Sequence, residues 1–172
     1  MNKPRVVIIM GSKADREHCA RIAAALDAFG IGYETRIGSA HKTPGHLATM
    51  LAEYEAAGGP RVYITVAGRS NALSGFIDGA VDSPVIACPP TPDSFGGADL
   101  WSSARMPGGI APALVMDPAN AALLAAKMLG LADPELADRV RDFRKTNADA
   151  IIADDAASLA AAGSVVLGGR LA

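Results

Sequence analysis

The stretch Arg5-Val6-Val7-Ile8-Ile9-Met10-Gly11-Ser12-Lys13-Ala14-Asp15 decides the fold. After Arg5 the run Val6–Met10 is unbroken and mostly β-branched. That is the pattern of a parallel strand buried on both faces, not the alternation of a half-solvated one. Gly11 then lets the chain turn, and a polar stretch leads into a helix. The apolar positions Ile22, Ala23, Leu26 and Phe29 share one face of that helix, and Gly30 ends it.

Moving outward, the same strand, glycine and helix order recurs. Gly32–Ile37 reads as a second strand, followed by Gly38-Ser39-Ala40-His41-Lys42-Thr43. Pro44 suits the first position of a helix to about Ala57, and Gly58-Gly59-Pro60 breaks the chain. Val62–Val66 reads as a third strand, followed by Ala67-Gly68-Arg69-Ser70-Asn71 and another helix. Pro84–Cys88 and Ala113–Met116 complete the strands. This alternation predicts an α/β fold: a three-layer α/β/α sandwich with a flavodoxin-like parallel sheet and a C-terminal helix. Residues 1–160 are expected to form a single domain, with 161–172 as a C-terminal tail, loose from Gly163 onward. The last helix, from about Pro134 to Asp155, is amphipathic through Leu136, Val140, Phe143 and Ile151. The segment Asn120–Leu129 is apolar on nearly all sides, so burial between subunits is expected. Between the fourth and fifth strands lies the long Pro89–Asp99 loop; its Phe95 and the nearby Trp101 favour an ordered functional loop.

Composition excludes several classes. The chain has 172 residues, half of them apolar and a fifth charged, which suits one globular domain with a real core. A net charge of −2 gives no reason to expect a nucleic acid or an anionic membrane as partner. Cys19 and Cys88 form neither a disulfide framework nor a metal-ligand spacing. No apolar run approaches the ~20 residues a bilayer span needs, and the N-terminal run is too short for a signal segment. A soluble cytoplasmic protein is expected.

Ligands of open parallel sheets bind at the carboxyl ends of the strands. The loops at Gly11, Gly38 and Ala67 should therefore meet there. In the first, Ser12 can donate to a phosphate and Asp15 can accept from sugar hydroxyls, but either can equally cap the helix. In the second, Ser39 and Lys42 suit an anion while the His41 imidazole moves a proton near pH 7; Thr43 as a helix cap is the plainer alternative. In the third, Arg69 suits an anion, whereas Ser70 and Asn71 serve as well as capping residues. His18 and His46 fall within helices and read as surface or packing residues; the Trp101–Met106 region reads as wall or lid. These features imply a site for a phosphorylated small molecule, without a reaction.

Taken as a set, the motifs Gly11-Ser12-x-x-Asp15, Ser39-Ala40-His41-Lys42, Ala67-Gly68-Arg69-Ser70-Asn71, Cys88-Pro89-Pro90 and Asp99–Gly109 resemble the PurE family of aminoimidazole ribonucleotide carboxylases and mutases. Lys42 and the Arg69-Ser70-Asn71 loop resemble its class II branch, which uses carbon dioxide directly. The mutase branch, which moves a carboxylate from N5, usually carries arginine after the histidine and a different third loop. The resemblance implies that His41 removes the carbon 4 proton. It implies that Ser12, Ser39 and Lys42 bind the phosphate end and Asp15 the ribose. It implies that Gly68 and Ser70, within a loop that includes Arg69 and Asn71, line the base and carbon dioxide site. No cofactor is implied, neither ATP nor biotin, and a homo-oligomer, octamer or tetramer, is expected. The family commonly has a second serine where this chain has Ala14, a loss of one hydrogen bond worth about 0.5–1.5 kcal/mol. A non-catalytic flavodoxin-like module is the alternative from another class. As a receiver domain it would need acidic residues at the end of the first strand, where Met10-Gly11-Ser12 stands.

Overall fold

The computed structural model describes residues 5–70, 72–91 and 95–167. Five strands, β1 (Arg5–Met10), β2 (Gly32–Ile37), β3 (Arg61–Val66), β4 (Val85–Ala87) and β5 (Ala113–Leu114), form one sheet in the order β2-β1-β3-β4-β5. All neighbours run parallel. This is the flavodoxin-like order expected from the sequence.

Pleating divides the core between two layers. Val6, Ile8 and Met10 of β1 point to one side, with α1 (Arg16–Ala28), α5 (Pro118–Leu129) and the start of α6 (Pro134–Leu167) packed against them. Val7 and Ile9 point to the other, against α2 (Pro44–Ala57) and α3 (Ala72–Asp78). Every residue of β3 is buried, as its apolar sequence requires of the central strand. Strand β2 lies at the edge, and most of its residues are exposed.

Two helices depart from expectation. The alanines of α5 (Ala121, Ala122, Ala125 and Ala126) are fully buried within the chain itself, because small side chains let α5 approach α1 and β3 closely. Burial between subunits is not needed to explain that face. The final helix does not stop at Asp155 but runs to Leu167; residues 168–172 lie outside the described residues. Its beginning is anchored by buried Leu136 and Val140 and by Arg139 Nε, which donates to the Phe29 carbonyl at 2.9 Å. Phe143 meets Phe29 edge to face, with centroids 5.2 Å apart. Beyond it Ile151, Ile152 and Leu159 are exposed, so the amphipathic stripe is only half covered.

Candidate active site

The carboxyl edge of the sheet is tied together by backbone hydrogen bonds. Gly38 N–H donates to the Met10 carbonyl at 3.0 Å, Gly11 N–H to Val66 at 2.9 Å, and Cys88 N–H to Thr65 at 2.9 Å. Each bond fixes the first residue of one loop to the end of a neighbouring strand. The loops after β1, β2 and β3 consequently share one cavity of about 580 Å³.

The first loop contributes Gly11, Ser12, Ala14 and Asp15 to this cavity. Ser12 accepts from Ala14 N–H, and the Asp15 carboxylate accepts from both the Ser12 N–H and its hydroxyl at 3.2 Å. The capping role is thus real, and both side chains still face the cavity. The second loop contributes Ser39, Ala40, His41 and Lys42. Here Thr43 is not a side-chain cap for α2. Instead it folds back: Ser39 N–H donates to Thr43 Oγ1 at 3.0 Å, and Thr43 Oγ1 donates to the Ser39 carbonyl. Lys42 N–H donates to Ser39 Oγ at 3.2 Å. These bonds hold the loop as a closed turn and leave the His41 imidazole and Lys42 side chain in solvent. A Cβ on Gly38 would stand 2.9 Å from Leu47 Cδ1, so a larger residue here would push that buried side chain aside.

The third loop brings Ala67, Gly68, Arg69 and Ser70. Ser70 has φ +36°, a left-handed conformation that a non-glycine residue adopts at a cost. Asn71 lies outside the described residues. Pro90 and Thr91, past the end of β4, form a further wall, and Leu73 of α3 lies beneath. A Cβ on Gly68 would meet Pro90 Cγ at 3.0 Å, so loop and wall touch here. Thr91 and Leu73 carry no signal in a single sequence beyond their place near the strand ends.

His46 is exposed, as a surface residue should be, and stands outside the cavity lining. His18 is different: it is buried against Cys88, in the layer beneath the loops. Trp101 is 65% exposed at the start of α4 (Trp101–Ala104) and does not line the cavity.

A parallel α/β domain, with one polar cavity where strands β1, β2 and β3 end, defines a small-molecule enzyme of flavodoxin-like architecture. Residues 5–150 match the model of the family described as AIR carboxylase. A phosphoribosylaminoimidazole carboxylase of Treponema denticola is 58% identical over 153 residues, spanning 89% of this chain and 96% of that protein. One of Archaeoglobus fulgidus is 50% identical over 141 residues, 82% of this chain and 77% of that protein. The crystal structure of Treponema denticola PurE superposes with a TM-score of 0.88 at 58% identity, covering 90% of this chain and 98% of that one. The chain belongs to the AIR carboxylase family.

Proposed function

We propose that this carboxylase joins carbon dioxide directly to carbon 4 of 5-aminoimidazole ribonucleotide, with His41 as its proton-transfer group. The observation that carries the reading is one cavity shared by an exposed imidazole, the Ser39–Lys42 turn and the Gly68–Ser70 loop. In the order the chemistry demands, Lys42 and Ser39 hold the phosphate, with Ser12 beside them. Asp15 accepts from the ribose hydroxyls, exchanging its bonds to Ser12 for bonds to substrate. The base then lies between His41 and Gly68–Ser70, with Arg69 and Asn71 completing that loop.

The exocyclic amine feeds electron density into the ring, so carbon 4 is nucleophilic without ATP or biotin. Its electron pair forms the bond to carbon dioxide, leaving carbon 4 tetrahedral with both a proton and the new carboxylate. Neutral His41 takes that proton, the C–H electron pair returns to the ring, and aromaticity is restored. Solvent then relieves the imidazolium, which the exposure of His41 permits. Holding the ring against a confined carbon dioxide accounts for much of the rate, because positioning replaces a bimolecular encounter.

A donor comparison tests this. Aminoimidazole ribonucleotide is supplied with bicarbonate-derived carbon dioxide, and separately the N5-carboxylated nucleotide with free carbon dioxide kept low. Faster product formation from the first is expected. Preference for the second would make the enzyme a mutase, and activity with neither would remove the catalytic reading.

The same proposal includes a single domain over residues 1–160, a cytoplasmic residence and a homo-oligomer, octamer or tetramer. Two free buried thiols suit a reducing compartment. The outer half of α6, with Ile151, Ile152 and Leu159 exposed, supports self-association. Light scattering at assay concentration should give a multimeric mass, and a monomer would refute it.

A further inference from the structure

Beneath the cavity lies a buried polar cluster that the reaction does not use. His18 is 6% exposed in the first turns of α1, a few residues after Asp15. Its Nε2 lies 3.4 Å from Cys88 Sγ, and its Nδ1 lies 3.0 Å from Arg21 Nη2. A guanidinium only donates, so Nδ1 accepts and the single ring proton sits on Nε2. Nε2–H therefore donates to the sulfur, and the thiol in turn points to the Met116 carbonyl at 3.8 Å. The chain of bonds links α1, the end of β4 and the segment after β5.

A catalytic pairing of this cysteine and histidine is excluded by the surroundings. Cys88 is fully buried, and that burial pushes its thiol up to about 12, so no thiolate forms at neutral pH. Burial and the adjacent Arg21 cation lower the His18 imidazole, although a hydrogen bond to the Cys88 backbone, then Asp15 and Asp117, pull the other way. A neutral, fixed imidazole is a structural donor.

What it holds is informative. Cys88 is followed by Pro89 and Pro90, neither of which has a backbone N–H. Cys88 is thus the last residue before the wall whose amide can anchor it, through Thr65. Pro90 lines the cavity and abuts Gly68. Meanwhile His18 shares its helix start with the Ser12–Asp15 cap.

We propose that His18 is a positioning residue: its Nε2–H bond to Cys88 holds the Pro89-Pro90 wall at a fixed distance from the Ser12–Asp15 loop, and so shapes the cavity for the nucleotide. The inference rests on the reading of that cavity as the substrate site. It is tested by steady-state kinetics of His18→Leu and His18→Gln beside the wild type, with ¹⁵N imidazole shifts of the unmodified enzyme. Leucine fills the space without either bond; glutamine offers an amide donor and an acceptor at similar reach. His18→Leu should raise KM for aminoimidazole ribonucleotide about 3- to 10-fold, the loss of roughly one hydrogen bond, with kcat changed less than about twofold. His18→Gln should recover most of the difference. The shifts should show a neutral Nε2–H tautomer at pH 7. A folded His18→Leu enzyme with wild-type KM would overturn the proposal, as would an Nδ1–H or cationic ring. Should His18→Leu not fold, a His18→Gln KM as wild type supports the proposal and a raised one opposes it. A wild type inactive in the donor comparison would instead remove the substrate-site reading and leave the tautomer measurement standing.

Discussion

At the amino end of the sheet, Arg61 is 96% buried on its side chain and surrounded by acceptors. Its guanidinium donates to the carbonyls of Tyr54 and Gly58 and pairs with Glu55 at 3.5 Å. Glu55 also accepts from Tyr63 Oη at 2.8 Å, Ser83 Oγ at 3.2 Å and the Asp82 N–H at 3.3 Å. The carboxyl end is also lined by polar residues, but their bonds run differently. There the backbone and the Ser12, Ser39 and Thr43 hydroxyls close the turns. Among the described residues, the side chains of His41, Lys42 and Arg69 form no hydrogen bond or ion pair. One end turns its polar groups inward, leaving among the described residues only Arg61 Nε buried without a partner; the other keeps them available. Polar density therefore does not mark a site, whereas the destination of the hydrogen bonds does.

The sharpest way to break this contrast is to exchange the two effects. His41→Asn should lower turnover about 10²–10⁴-fold, the usual contribution of a general base, while the melting temperature and nucleotide affinity stay near wild type. Isothermal titration beside a thermal melt separates these. A folded variant that has lost affinity would make His41 a ligand-positioning group instead. At the other end, Glu55→Ala should cost about 2–3 kcal/mol in urea unfolding with an unchanged KM, because it strands Arg61 and Tyr63 without their shared acceptor. The figure lies at or just below the bottom of the ~3–5 kcal/mol range for a fully buried pair, since Glu55 keeps 27% of its side chain exposed. A variant of undiminished stability but raised KM would mean that the two ends are coupled.

Lys42→Ala comes next in size. Losing a charge-assisted bond to phosphate should raise KM about tenfold and affect kcat less. Stability should not fall, because the lysine side chain is exposed and only its backbone N–H serves the turn. An unchanged KM would remove Lys42 from the phosphate subsite.

How much of this was legible beforehand depends on the range of the interaction. Strands β1 and β3 follow from local apolar runs, β2 from its place in the repeated strand, glycine and helix order, and the parallel order from the intervening helices, so the loops at Gly11, Gly38 and Ala67 could be brought to one edge from sequence alone. The Ser12–Asp15 cap is equally local. Thr43 is not: a residue before Pro44 looks like a cap, yet its hydroxyl closes the Ser39 turn instead. The burial of α5 depends on the close approach of alanines to α1, which no periodicity within α5 encodes. The extent of α6 was missed for the opposite reason: past Phe143 its Ile151, Ile152 and Leu159 are exposed, so no packed stripe marks where the helix ends, and the alanine-rich run to Ala162 favours its continuing. His18 and Cys88 are 70 residues apart. Each alone reads as a packing residue, and only the fold makes them a pair.

The smallest expected effect distinguishes the two ends by pH. His18 ordinarily titrates near 6.5, and in the fold burial first, then Arg21, lowers it. The unfolded chain therefore takes up a proton near pH 6.5 that the folded chain refuses. Stability is full above that pH and declines as pH falls from about 6.5 toward the lowered folded value, below which this contribution is flat. On the alkaline side the signs reverse. Burial raises Cys19 and Cys88 from 9.0 to about 12, so the unfolded chain releases protons first and stability declines as pH rises above 9. Between those limits all three buried groups are neutral in either state. Urea midpoints measured from pH 7.5 to 5 should therefore fall less steeply in His18→Gln than in wild type. Equal slopes for wild type and His18→Gln would mean that the imidazole charges in place, with Arg21 moving aside. The buried cluster under the carboxyl edge would then be adjustable, unlike the closed network at the amino end.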